Sequence, residues 1–228
     1  MPKFPLLSTQ QGIWFADQVA TRRNAYVIAH AIELSGMIDL AHLEEAIGLG
    51  LSEADTVMAQ YGEDETGAWQ MTHAGSVPPV DHIDVSTEAD PEAAARRFMQ
   101  EDIDADLDVN GKRPLCYQAL IHLGDSGGNK RLFWYQRYHH VMLDGFSFTA
   151  LTRRVADIYS ALSEGHAVTA FPFRSVSEVI EERVPMRCPK LVLQIANIGA
   201  LIAAIFHRKP RLRSAADMKG TGISFCAP

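Results

Sequence analysis

The chain has 228 residues, 47% of them hydrophobic and 21% charged. That is enough apolar matter for one packed domain, or one and a half, and it excludes wholesale disorder. Lys and Arg number 21 against 28 Asp and Glu, a net charge of −7, which excludes non-specific nucleic-acid binding by the body as a whole.

In chain order, Ser8-Thr9-Gln10-Gln11 has capping-box spacing, with Ser8 receiving a first-turn N–H and Gln11 reaching back. It predicts a helix over about Thr9–Gln18. Tyr26, Ile28, His30, Ile32 and Leu34 alternate with smaller residues and stop at Gly36, the period of a strand. Asp39 then caps a helix whose apolar side is Leu40, Leu43, Ile47 and Leu51. Val57–Tyr61 and Ala68–Thr72 read as a hairpin around Glu-Asp-Glu-Thr-Gly. Asp90-Pro91-Glu92 opens a further helix, because proline at the first position loses no internal hydrogen bond. Leu115–Leu123 and Arg131–His139 read as strands joined by Gly-Asp-Ser-Gly-Gly-Asn-Lys. Phe146–Glu164 reads as a helix closed by a left-handed Gly165. The alternation predicts an α/β fold, a two-layer sandwich of helices on a sheet.

Charge breaks sharply after Glu182. From Arg183 onward there are eight basic residues and one acid, Asp217, whereas residues 1–182 hold 13 basic and 27 acidic side chains. The division predicts a body over 1–182 and a separate basic tail over 183–228. Within the tail, Leu191–Phe206 is apolar apart from Gln194 and Asn197. At sixteen residues it is short for a bilayer, so a helix meant for burial is favoured over a membrane anchor. The abrupt Arg- and Pro-rich composition fits translation in a shifted frame, or after truncation, best of all. Cys116, Cys188 and Cys226 are too few and too scattered for a disulfide framework or a zinc cluster. The start, Met1 to Ser8, has no signal-peptide pattern, and a cytoplasmic chain is expected.

The segment that carries chemistry is Tyr135-Gln136-Arg137-Tyr138-His139-His140-Val141-Met142-Leu143-Asp144-Gly145-Phe146-Ser147-Phe148. A strand ends in two histidines and, after a short turn, Asp-Gly opens a helix. Neighbouring strand side chains face opposite ways, so one histidine is expected in a site and the other in packing or a local hydrogen bond. Histidine suits proton transfer near neutral pH. Asp144 can hold the loop by an ion pair or by capping the helix, and Gly145 allows a backbone angle or a close approach. Two histidines and an aspartate are also legitimate zinc ligands, but adjacent histidines diverge and no metal is expected. His30, His42, His73, His82, His122, His166 and His207 read as isolated structural or surface residues.

His139-His140-Val141-Met142-Leu143-Asp144-Gly145 matches the HHxxxDG motif, and the chain resembles condensation domains of nonribosomal peptide synthetases, the siderophore type in particular. Leu7-Ser8-Thr9-Gln10-Gln11-Gly12-Ile13-Trp14 resembles their first motif, with Gln10 and Trp14 as anchors. Ala29–Gly36 and Thr152–Tyr159 add support, and the likeness runs from about residue 4 to Glu182. Where such sequences carry arginines in their second motif, this chain has Met58 and Gln60.

The resemblance implies a chloramphenicol-acetyltransferase-like lobe, half of a condensation domain, whose second lobe is not recognisable. It implies amide-bond formation between an acyl and an aminoacyl thioester. It also implies that no cofactor is bound directly and that phosphopantetheine would arrive on partner peptidyl or aryl carrier domains. His140 would be the catalytic histidine. His139, Asp144 and Gly145 would be motif residues, Asp144 usually paired with an arginine and Gly145 offering an N–H to the oxyanion. A free-standing acyltransferase using a coenzyme A thioester, and a non-catalytic carrier-docking remnant, stay open beside this reading. A lobe without its partner is also expected to expose apolar area.

Overall fold

In the computed structural model, which describes residues 2–182 apart from 73–75, 108, 112 and 170–172, the three long alternating stretches become neighbouring strands. The tail from Arg183, with the apolar run at 191–206, lies outside the described residues, as do His73, His207, Cys188 and Cys226. The elements are β1 (Phe4–Pro5), α1 (Ser8–Val19), β2 (Val27–Gly36), α2 (Leu40–Ser52), β3 (Gln60–Asp64), β4 (Gly67–Met71), β5 (Val80–Asp84), α3 (Pro91–Asp104), β6 (Cys116–Ser126), β7 (Asn129–His139), α4 (Gly145–Glu164) and α5 (Val176–Glu181).

The main sheet has the order β2-β7-β6-β5, with β5 parallel to β6 and the other pairs antiparallel. A second sheet, β1-β4-β3, is antiparallel. β6 and β7 each present alternate residues to opposite faces, so each face of the main sheet has its own core. On one face Leu120, Leu132, Trp134 and Tyr138 meet Leu43, Ile47 and Leu51 of α2 and Leu151, Val155 and Ile158 of α4. On the other, Ala119, Ile121, Phe133 and Tyr135 meet Ala95 and Met99 of α3. The α/β class is as expected, with α2 and α4 as the main helical layer and α3 across the opposite face. Gly50 lets α2 approach α4 closely: a Cβ there would lie 2.6 Å from Val155 Cγ2.

Local signals differ from their readings in three places. Ser8 lies inside α1 rather than capping it; Gln10 Oε1 accepts the Leu7 N–H at 2.8 Å, one position earlier than the predicted box. Val57 and Met58 are not in the strand, because both N–H groups bond back to Ala54 O in a turn that buries the two side chains. β6 and β7 run into the predicted loop, leaving a two-residue connection, Gly127-Gly128, at φ 61° and 82°. Two successive positive φ values match the right-handed strand twist, and glycine supplies them without strain. Elsewhere Asp39 accepts from His42 N–H, Asp90 from Ala93 N–H, and Gly165 ends α4 at φ 69°, as read. Large apolar side chains do stand exposed, among them Phe15, Val19, Met37 and Phe146. No helix among the described residues is long and apolar enough to cross a membrane.

Candidate active site

β7 is the central strand that delivers the motif. Its neighbours hold it to the last residue: His139 N–H donates to Leu115 O at 2.8 Å, and His140 N–H to Tyr26 O at 2.8 Å. The chain then turns, with Met142 N–H on His139 O at 3.0 Å, and enters α4.

The two histidines separate at this point. His139 is fully buried, and both ring nitrogens face protein: Nδ1 lies 3.2 Å from Val141 N, and Nε2 lies 3.3 Å from Asp17 Oδ1. His140, one residue past the strand, is half-buried, and among the described residues its ring makes no hydrogen bond. The turn between them and α4 is anchored from α1: Gln10 Nε2 donates to Val141 O at 3.1 Å, and Gln10 exchanges amide hydrogen bonds with buried Gln70 of β4. Val141, Met142 and Leu143 bury their side chains, so the loop is packed down as well as tied.

Asp144 is exposed and caps α4, its Oδ1 accepting the Ser147 N–H at 2.8 Å. Among the described residues it makes no ion pair with an arginine; the helix cap alone fixes it. Gly145 is the first residue of α4, and a Cβ added there would meet nothing within 4 Å. Of the two expectations for Gly145, the special backbone angle is corrected, since its φ is not positive; the space beside it is open. Met58 is buried and Gln60 opens β3 exposed. Among the described residues no group of three or more His, Cys, Asp and Glu is placed to hold a metal ion.

Behind β7 a charged cluster supports the strand. Arg137 is 1% exposed; its Nε donates to Asp102 Oδ2 at 2.9 Å and its Nη1 to Pro114 O at 3.0 Å. Tyr135 Oη at 2.8 Å and Arg113 also reach Asp102. Burial lowers the Arg137 pKa, and burial followed by the Asp102 charge raises that of Tyr135. On the opposite face Trp134 Nε1 and Tyr138 Oη share Gln118, at 3.0 Å each, and Phe148 of α4 sets its edge against His30 and Tyr138. Asp17 and Asp102 went unnoticed in the sequence. Each comes from a helix far from the motif in the chain, and no local pattern marks it.

The condensation-domain family model matches residues 2–188. Enterobactin synthase component F of Escherichia coli O157:H7 is 39% identical over 179 residues, 78% of this chain and 14% of that protein. The dimodular nonribosomal peptide synthase of Bacillus subtilis is 36% identical over 185 residues, 81% of this chain and 8% of that protein. Among solved structures, the starter condensation domain of rhizomide synthetase superposes with a TM-score of 0.71 at 31% identity, covering 80% of this chain and 43% of that one. A double mutant of that domain has been crystallised with C8-CoA and Leu-SNAC. The chain thus spans a small part of these synthetases and under half of the solved domain. With the motif on the turn between β7 and α4, and the family model running across nearly all the described residues, the chain belongs to the condensation-domain family of nonribosomal peptide synthetases.

Proposed function

We propose that His140 serves an amide-forming condensation in which the amine of an aminoacyl thioester attacks the carbonyl of an acyl thioester. The carbon–nitrogen bond forms and the carbon–sulfur bond breaks. The proton lost by the nitrogen passes to His140 and on to the departing thiolate. The observation that supports this most is the division of labour between the two histidines: one ring is used up in the fold, while the other is held in register by its backbone and, among the described residues, its ring makes no hydrogen bond. Gly145, with open space beside it, would let a substrate carbonyl oxygen come near the start of α4.

Both substrates would arrive on phosphopantetheine arms of peptidyl or aryl carrier domains, and a siderophore pathway is the expected setting, given the enterobactin synthase relative. Tethered delivery in a good orientation can offset about 7–11 kcal/mol of barrier, so the lobe need add little more than aim and proton transfer. A second reading, a coenzyme A thioester as donor, draws on the rhizomide starter domain, which was crystallised with an acyl-CoA.

Incubating this chain with an aminoacyl pantetheine thioester and either a carrier-bound or a CoA-bound acyl donor, with mass spectrometry of the amide, tests both. Product from the carrier-bound donor supports the main reading, and product from the CoA donor alone supports the second. Carrier binding without product from either donor would leave the docking role and overturn the enzymatic one.

A further inference from the structure

Asp17 is a carboxylate with 1% of its surface exposed, in a place where an unpaired charge is strongly disfavoured. Two donors meet it. His139 Nε2 faces Oδ1 at 3.3 Å, and Val109 N–H donates to Oδ2 at 3.2 Å. Through the second contact it also holds the segment between α3 and β6, which is tied to the connection between α1 and β2 by Leu107 N–H on Arg23 O at 3.0 Å.

The hydrogen-bond roles of His139 follow by elimination. Val141 N–H is a backbone donor and can only donate, so Nδ1, 3.2 Å away, carries the lone pair. Nε2 then carries the proton and donates to Asp17. In the other neutral tautomer, or as imidazolium, His139 would set an Nδ1–H against the Val141 N–H, two donors facing each other in the interior. The turn from His139 to Met142, on which His140 rides, would lose one of the bonds that shape it.

We propose that Asp17 is a positioning residue for the condensation: by fixing His139 as its Nε2–H tautomer, it locks the turn that presents His140. The proposal rests on the catalytic reading of His140 given above. Misplacing a reacting group by about 1 Å can cost on the order of 10²-fold in rate, and a supporting shell of this kind sets that placement.

Nitrogen-15 NMR of histidine-labelled protein reads the tautomer directly, and steady-state kinetics with both thioesters reads the consequence. In the unmodified chain His139 should show a protonated Nε2 and an unprotonated Nδ1 at neutral pH. Asp17→Asn offers one acceptor oxygen for two donors, so the His139 signals should move and kcat should fall roughly 10–100-fold. KM for either thioester should stay within about twofold, and Asp17→Glu should recover most of kcat.

A protonated Nδ1 on His139 in the unmodified chain overturns the proposal, and needs no variant to fold. So does an Asp17→Asn protein with shifted His139 signals and full kcat. His140→Ala separates the two claims. Full activity in that variant overturns the catalytic reading, whereas an inactive His140→Ala beside an unimpaired Asp17→Asn overturns only the positioning role.

Discussion

The main sheet carries two histidine–carboxylate contacts, and they differ in what surrounds them. At one end His139 and Asp17 are 0% and 1% exposed in their side chains, and each also meets a backbone N–H, Val141 on His139 and Val109 on Asp17. At the edge, His82 Nδ1 lies 3.1 Å from His122 Nε2 and His82 Nε2 lies 3.3 Å from Glu44 Oε2, with His82 and Glu44 side chains 40% and 51% exposed. The contact types are nearly the same. Water competes for the second set and not for the first, so the first fixes geometry and the second adds little stability.

Mutation sharpens that contrast. His139→Ala should be the most damaging single change: it leaves the Asp17 carboxylate and the Val141 N–H short of partners in the interior, at about 2–3 kcal/mol, measured by urea unfolding. Asp144→Ala removes a helix cap and, among the described residues, no ion pair, so about 1 kcal/mol is expected from the same titration. A loss well beyond that would mean that Asp144 has a partner its cap does not describe. Glu44→Gln, in the exposed pair, should cost under about 0.5 kcal/mol. If it rivals His139→Ala, the distinction between the two pairs fails.

A pH titration acts on the histidines that burial perturbs. His30 is held below its ordinary value of 6.5 by burial, and His122 by burial and then by the neighbouring His82. The unfolded chain therefore binds protons more readily than the folded one just below 6.5, and stability is complete above that pH and falls as the pH drops through it. The carboxylates of Glu92 and Asp84, held low chiefly by hydrogen bonds from Arg96 and Ser86, add a further loss in more acid solution. The unfolding midpoint should decline from about pH 7 to about pH 5, less steeply in His30→Gln. A midpoint that rises over this range would contradict the burial assigned to His30.

What the sequence disclosed follows from the range of the interactions concerned. Asp39, Asp90, Gly165 and the alternation of Tyr26–Leu34 act within one turn or one strand, and each was legible. The HHxxxDG string marked the place of the candidate site, and strand alternation foretold that its two histidines must part. Asp17 and His139 are 122 positions apart, and only the packing of α1 against the end of β7 joins them. His82 and His122 read as isolated for a similar reason: parallel pairing of β5 with β6 sets Asp84, not His82, opposite His122, and the contact runs diagonally across the ladder. Gly145 differs: a glycine after Asp144 suggested a special backbone angle, and its φ is not positive.

The account turns on His140 doing chemistry that its neighbour does not, and the most direct measurement is amide formation and unfolding on the same His140→Ala protein. A rate lower by about 10²–10⁴-fold, with an unfolding midpoint close to that of the unmodified chain, is the predicted result. An unchanged rate, or a rate lost only in step with folded protein, would contradict it.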